Sequence, residues 1–543
     1  MLSEFDPQLI QDVAGARQAI VALLNIVEEL KQETIAQREE IQRLRDEVNR
    51  LKGEQGKPDI KASKKGGDHS SEKERRQKSR RKRSKRRRHK AVEIDREEKV
   101  SYPKDELPAD AEFKGYEPVV VQDLVIKTNN TRFLKEKWYS PSRKRTYIAP
   151  LPPGYQGQFG PTVRSLVPVL YHAGGMSEPK IIEFMEQMGI NLSKGIVSDW
   201  LSRQTVSWEE EADAILLAGL GSSSWQHIDD TGTRVDGVNH YCHILCNPFY
   251  TAYATRPRKD RLTVVSVLQN SEQPVYLFNE QTMAWLQQFE VPQWAQRRVA
   301  NWPQGCLLTE DEVAAQLQGE LSRRLNDQQL ARIREAGALT AYYAQMRYPV
   351  IPILVSDDAP QFRHLAATQM LCWVHEGRHY KKLSPQVAYH QQILADFLEQ
   401  FWAYYHRLQA YRADPDPEGA ATLRSEFDTL FSQTTEYDQL NKRLAKTLAR
   451  KEKLLVVLDH PEVPLHNNPA ELGARQRVRK RDVSFGPRSE TGRRAWDAFM
   501  TVAETAKKLE VSFYQYVWDR VSQTNAMPAL ADIIRARGQP AVL

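Results

Sequence analysis

The chain has 543 residues, 77 Lys and Arg against 70 Asp and Glu for a formal charge of +7, and a hydrophobic fraction of 41%. That length calls for several domains, while no apolar run reaches the roughly 18 residues of a membrane span and Met1-Leu2-Ser3-Glu4-Phe5-Asp6 lacks a signal-peptide layout, so a cytoplasmic protein with no membrane contact is expected. Four cysteines, Cys242, Cys246, Cys306 and Cys372, exclude a disulfide scaffold, and no phosphate-loop, dinucleotide, zinc-protease or nucleophile-elbow motif is present.

Residues 9–52 carry a heptad repeat. Val13, Ile20, Val27, Thr34, Ile41 and Val48 fall at position a, with Ala16, Leu23, Leu30, Gln37, Leu44 and Leu51 at d, so ten of twelve seam positions are apolar. This predicts a coiled-coil dimerisation helix within 1–52, and β-branched a with Leu at d favours a parallel pair. A helix packed on its own protein would show a wider apolar stripe. Residues 53–92 form a linker in which 57–90 hold 17 Lys and Arg against 4 Asp and Glu. Such a tract is expected to be disordered when free and to lie along nucleic acid by counterion release, without sequence information.

Residues 93–150 contain short β-like runs at 118–121, 124–126, 138–139 and 145–148, which predict a small β-rich unit. Over 151–206 the period becomes helical. Ser177-Glu178-Pro179 opens one helix, Gly189-Ile190-Asn191 turns, and a second helix over 193–203 faces Ile196, Val197, Trp200 and Leu201 inward. This is a helix-turn-helix layout, with Lys194, Ser198 and Arg203 placed for groove and phosphate contacts.

The pattern then alternates. Strands are predicted over 225–235, 239–246 and 249–255, the first two joined by the hairpin signal Asp236-Gly237, followed by a helix over 261–269. A mostly helical stretch, 270–345, interrupts the alternation before strands at 353–355 and 371–374. Long helices fill 386–412 and 420–450, and an α-rich stretch runs from 469 to 535. The expected fold class is a multidomain α/β chain, with a catalytic unit over 207–500 and C-terminal helices over 501–543.

Three acidic residues stand at element ends: Asp229 in the first strand, Asp357 after the strand 353–355, and Glu471 in Asn467-Asn468-Pro469-Ala470-Glu471. Carboxylates converging in this way suit hard divalent cations and two-metal phosphodiester chemistry. Each has a plainer reading: a strand-end turn for Asp229, a helix N-terminus for Asp357, and a capping box under Asn468 for Glu471. Zinc at His240, Cys242, His243 and Cys246 would need four ligands from one strand, which is poor geometry. Cys372 and His375 are expected to buttress the core beside Asp357. Arg475, Arg477, Arg479, Lys480 and Arg481 form a basic stretch beyond Glu471, read as phosphate contacts or as a solvated helix face.

At these residues the chain resembles bacterial insertion-sequence transposases of the IS-sixty-six group. The resemblance rests on His227-Ile228-Asp229-Asp230-Thr231, Ser356-Asp357-Asp358, Cys372-Trp373-Val374-His375, Asn467-Asn468-Pro469-Ala470-Glu471 with Arg475, and the run from Ser484-Phe485-Gly486 to Arg494-Ala495. It implies a ribonuclease-H-like catalytic domain with helical insertions. Asp229, Asp357 and Glu471 would form its Asp-Asp-Glu triad and hold two Mg²⁺ or Mn²⁺ ions. The implied partners are double-stranded DNA, as element ends and target, a second copy or higher oligomer through the coiled coil, and accessory transposition proteins at the nucleoid. Asp230 replaces the family's Glu, so either Asp229 or Asp230 could be the metal ligand. Residues 93–150 lack the family's cysteine-rich zinc ribbon, and the Asp229–Asp357 interval is long, which marks 270–345 as an insertion. Two other functions stay open: a non-catalytic DNA-binding or architectural protein derived from such an enzyme, and a metal-dependent nuclease without strand transfer.

Overall fold

The computed structural model describes residues 12–51, 94–103, 106–108, 111–155, 157–203 and 206–538; the basic run 57–90 lies outside them. Helix α1 (Val13–Leu51) is followed by a hairpin of β1 (Lys137–Ser140) and β2 (Arg145–Ile148), then α2 (Pro161–His172), α3 (Glu178–Gln187), α4 (Lys194–Ser202) and α5 (Val206–Leu220). Strands β3 (Trp225–Val235), β4 (Val238–Cys246) and β5 (Thr251–Arg256) precede α6 (Arg261–Leu268), β6 (Tyr276–Leu277), α7 (Glu280–Gln288), α8 (Gln293–Val299), β7 (Leu307–Leu308), α9 (Glu310–Leu317), α10 (Glu320–Arg324) and α11 (Asp327–Ala344). After β8 (Ile351–Ser356) and β9 (Ala366–Leu371) the chain is helical: α12 (Trp373–Lys381), α13 (Ala388–Ala413), α14 (Pro417–Ser432), α15 (Asp438–Leu448), α16 (Lys451–Leu454), α17 (Asn468–Ser484), α18 (Glu490–Lys508), α19 (Phe513–Val521) and α20 (Leu530–Arg537).

One five-stranded mixed sheet, in the order β5-β4-β3-β8-β9, organises the α/β region. β4 runs antiparallel to β3 and β5, whereas β8 runs parallel to β3 and β9. The β3–β4 turn uses Asp236 and Gly237, both at positive φ (48° and 76°), the backbone that a two-residue hairpin needs. Alternation along β8 sends neighbouring side chains to opposite layers. Leu354 enters a core built from α5, α6, α11, α18 and the 270–345 helices, while Ile353 and Val355 enter a second core built from α12 to α15. The 270–345 stretch therefore shares the main core, through Phe278, Leu286, Val313 and Leu339, rather than forming a separate appendage.

Two expectations change. Among the described residues of 93–150, only β1 and β2 pair; the apolar runs at 118–121 and 124–126 carry no regular structure and are exposed, with no described strand or helix covering them. Helix α1 does lie on its own protein, but through its polar face. Asn25 and Gln32 donate to the carbonyls of Glu436 and Leu383 at 3.1 and 3.3 Å, and Arg17 pairs with Glu436 at 2.8 Å. Buried Glu28 accepts the N–H groups of Gln386 and Val387 at 2.8 Å, at the N-terminus of α13. Desolvation alone would raise its pKa, but these hydrogen bonds outweigh it and hold the carboxyl below its ordinary value. These four residues fall at heptad positions e, f, b and f, so the a/d seam points away from the body, with Ile20, Leu23, Val27 and Leu30 exposed.

Candidate active site

The sheet register sets the first two carboxylates side by side. The last β3–β8 pair is His227 with Val355; Asp229, still within β3, and Asp357, the first residue after β8, each lie two residues beyond it, where adjacent parallel strands are spaced about 4.8 Å. The third element is pinned to the same point. Asn467, at the N-terminal boundary of α17, is buried, and its side-chain amide donates to the Ile228 carbonyl at 2.7 Å. Its Oδ1 lies 3.0 Å from His227 Nδ1 and its backbone N–H is 3.2 Å from Cys372 Sγ. Burial holds His227 neutral, so Nδ1–H donates to Oδ1 and the amide orientation is fixed at both ends. Gly473 completes the approach: a Cβ there would stand 2.8 Å from Ile244 of β4.

Glu471 thus enters in the first turn of α17. It is not part of a capping box: the boundary residue is Asn467, with no side-chain cap bond. The Glu471 carboxylate instead meets the guanidinium of Arg378 on α12, with Nη1 3.1 Å from Oε1 and Nη2 3.2 Å from Oε2. His375 Nε2 lies 3.5 Å from Oε1 and 3.1 Å from Arg378 Nη1, and burial lowers the His375 pKa. His375 therefore faces the third carboxylate, while Cys372 buttresses the α17 boundary. Arg378 was not singled out from the sequence; its position one helical turn beyond His375 in the Cys-Trp-Val-His run is the signal that could have found it.

Asp229 is pushed up to about 7, first by burial and then by the negative charges of Asp357, Glu471 and Asp230. Burial also raises Asp357, whose Oδ1 accepts the Ala359 N–H at 3.0 Å. Asp230 is engaged elsewhere, accepting from Gln361 Nε2 at 2.8 Å, and Asp358 is paired to Arg363 and Arg450. Asp229 feels the charges of both Asp357 and Glu471, and Asp230 adds its charge to Asp357. Carboxylate oxygens under mutual repulsion are the donor chemistry a hard divalent cation relieves. Among the described residues, no three acidic, His or Cys side chains are gathered closely enough to hold a metal ion, and Glu471 is turned onto Arg378. The same holds at His240, Cys242, His243 and Cys246, where both thiols are buried and His243 Nε2 lies 3.2 Å from the Arg258 carbonyl.

The basic stretch on α17 divides. Arg475 and Arg479 are exposed, one and two turns beyond Glu471. Arg481 is half-buried and donates to the Gly232 carbonyl at 2.6 Å. Arg477 and Lys480 cannot face DNA in this fold. Arg477 is 0% exposed, bonded to Thr255 Oγ1 at 2.9 Å and 3.3 Å from Asp497. Lys480 is 5% exposed, over the Tyr171 ring and bonded to the Tyr171 carbonyl. A contiguous basic run hides this, because helical period alone decides which members turn inward.

Lys194, Ser198 and Arg203 are exposed on or beside α4. Ser193 caps α4 by accepting the Ile196 N–H at 3.3 Å. Helices α2 to α4 share a small core of Val167, Tyr171, Ile181, Met185, Val197 and Leu201, which Trp496 of α18 closes from the α/β region. No described helix is long and apolar enough to cross a membrane.

A family model described as the Transposase IS66 family matches residues 331–495, a span that contains Asp357, Arg378 and Glu471. The chain is also 30% identical over 327 residues to "Uncharacterized protein y4jO" of Sinorhizobium fredii (strain NBRC 101917 / NGR234), covering 60% of this chain and 100% of that protein.

Proposed function

The chain belongs to the IS66 family of transposases, and from that premise we propose that it cuts DNA at insertion-sequence ends and joins the freed 3′ ends to target DNA. Asp229, Asp357 and Glu471 are the catalytic carboxylates of this reading. The observation that supports it is the position of the three acids, with Asp229 on β3, Asp357 just past the end of the neighbouring parallel strand β8 and Glu471 in the first turn of α17, and the rise of Asp229 to about 7, which comes first from burial and then from the charges of Asp357 and Glu471. The sheet order β5-β4-β3-β8-β9 supports a ribonuclease-H-like catalytic domain.

Asp229, Asp357 and Glu471 would hold two Mg²⁺ ions, which when bound activate a water or 3′-hydroxyl and stabilise the leaving oxygen. The protein's own part is positional. His227 and Asn467 lock α17 to β3, which sets Glu471 against the strand carboxylates. Arg378 holds Glu471 until a stronger cation competes. Arg475 and Arg479 take DNA phosphates along α17, and Lys194, Ser198 and Arg203 take the contacts of the α3–α4 pair. Helix α1 joins two copies along its exposed seam.

Nicking of supercoiled plasmid by the purified chain with Mg²⁺ or Mn²⁺ tests the reading, with Glu471→Gln beside it. Metal-dependent nicking that disappears in the variant is expected, with plasmid binding retained. Equal nicking by Glu471→Gln would reject the triad. Binding without nicking by either chain would favour a DNA-binding protein derived from such an enzyme. Joined products distinguish a transposase from a nuclease.

A further inference from the structure

Helix α17 ends in an unusual way. Its last turn closes on Phe485 in the left-handed conformation, φ 58°, a position usually filled by glycine. The ring is not tucked away to compensate; Phe485 is 83% exposed. The backbone beneath it is held firmly. Its N–H donates to the Arg481 carbonyl at 2.7 Å, the Asp236 N–H donates to the Pro487 carbonyl at 2.9 Å, and Arg481 is bonded to Gly232. Gly486 lies so close to β3 that a Cβ there would stand 2.5 Å from the Arg234 carbonyl. A strained, clamped residue presenting a bare aromatic ring is a functional signal rather than a packing one.

The surroundings identify the partner. Exposed arginines stand on the segments that carry the ring, with Arg475 and Arg479 back along α17, Arg488 three residues on and Arg234 on β3 beneath Gly486, and the exposed acids of the same segments are Asp236, Asp482 and Glu490; Glu490 is itself paired to Arg493. Glu471, Arg475 and Arg479 follow one another at i, i+4 and i+8 along one side of α17. Fourteen residues separate Glu471 from Phe485, about 21 Å of helix at 1.5 Å per residue. That is close to six base pairs of B-form DNA at about 3.4 Å each.

We propose that Phe485 is a wedge that enters a base step of duplex DNA about six base pairs from the phosphate at Glu471, while Arg475 and Arg479 hold the phosphates between. The proposal rests on the DNA-cutting reading and adds a contact that reads base stacking rather than charge.

The test is binding of a labelled 40-base-pair duplex of arbitrary sequence by the full chain, followed by anisotropy in EDTA over a range of salt concentrations. Phe485→Ala is expected to weaken binding by about five- to a hundredfold while the salt slope stays at the wild-type value, since no ion pair is lost. Phe485→Trp should restore binding. Arg479→Ala should instead lower the salt slope by about 1. Wild-type affinity in Phe485→Ala overturns the wedge and leaves the DNA reading standing. A change in the mass of the DNA-free protein on Phe485→Ala also overturns it, by making the ring a protein contact. A wild-type chain that does not bind the duplex overturns the wedge together with the reading beneath it.

Discussion

The guanidinium of Arg378 grips both carboxylate oxygens of Glu471, at 3.1 and 3.2 Å, inside the cluster that includes Asp229 and Asp357. This fork geometry is among the strongest a carboxylate can make. A divalent cation arriving at Glu471 must displace it. Arg378→Gln should therefore tighten Mn²⁺ binding to the DNA-free protein by about tenfold, the order expected from removing one nearby positive charge. Titration followed by the electron paramagnetic resonance of free Mn²⁺ would measure this; unchanged or weaker binding would show that Arg378 does not compete with the metal.

Asp229 gives the metal-free protein a pH dependence. Its carboxyl is raised to about 7 in the folded chain, from a value near 3.8 when unfolded. Between those values the folded state keeps a proton that the unfolded state has lost, so stability falls as pH rises across this window and levels off above it. The expected fall is on the order of 4 kcal/mol from this group. Urea unfolding at several pH values in EDTA should show that slope, and Asp229→Asn should flatten it. A slope that persists in Asp229→Asn would assign it to other groups.

Arg475 and Arg477 sit two residues apart and should behave oppositely. Arg477→Ala empties a buried site and removes one of the two arginines beside Asp497, which keeps Arg493 and Thr255, and should destabilise the fold by about 2–3 kcal/mol. Arg475→Ala should change stability by less than about 0.5 kcal/mol and reduce the salt dependence of DNA binding. Chemical denaturation and salt-dependent anisotropy of the same two variants read both quantities. Similar unfolding midpoints would refute the division of α17 into inner and outer arginines.

Leu23 and Leu30 occupy heptad position d and are exposed, while the opposite side of α1 holds the body. Leu23→Glu combined with Leu30→Glu should convert a dimer into a monomer without loosening α1 from α13. Sedimentation equilibrium gives the mass, and resistance of α1 to limited proteolysis gives the docking. A double variant that still sediments as a dimer would place the contact elsewhere.

Much of this organisation was legible in the residues. The β3–β4 hairpin followed from Asp236-Gly237, β8 from the apolar run ending at Ser356, and the paired helices near Ser177 and Ser193 from their caps and periodicity. What was not legible depended on tertiary distance. Arg378 reaches Glu471 across 93 residues of sequence; its place one turn beyond His375 on α12 marks the residue but not its partner. The sequence placed the cap of α17 at Asn468, whereas the boundary residue is Asn467, whose amide spans to β3 instead of capping because that end of α17 abuts the sheet. The runs at 118–121 and 124–126 had strand-like composition without a partner strand, and composition alone does not supply pairing. Arg477 and Lys480 looked solvated because a charge run masks the helical phase beneath it.

The anchoring of α1 has a geometric consequence. Glu28 fixes the rotational setting of the helix on the body, and the heptad fixes the setting of any second helix against it. In a pair joined along the a/d seam, the two bodies then hang on the outer flanks of the helical stem, facing away from one another like panniers. The angle between the two sets of carboxylates about the stem is written in the phase between position b and positions a and d. One residue inserted after Gln32 would turn the distal seam by about 100° relative to Glu28 while leaving the contacts of Arg17, Asn25, Glu28 and Gln32 with the body in place. In such a pair the heptad phase would act as a protractor for the orientation of the two copies.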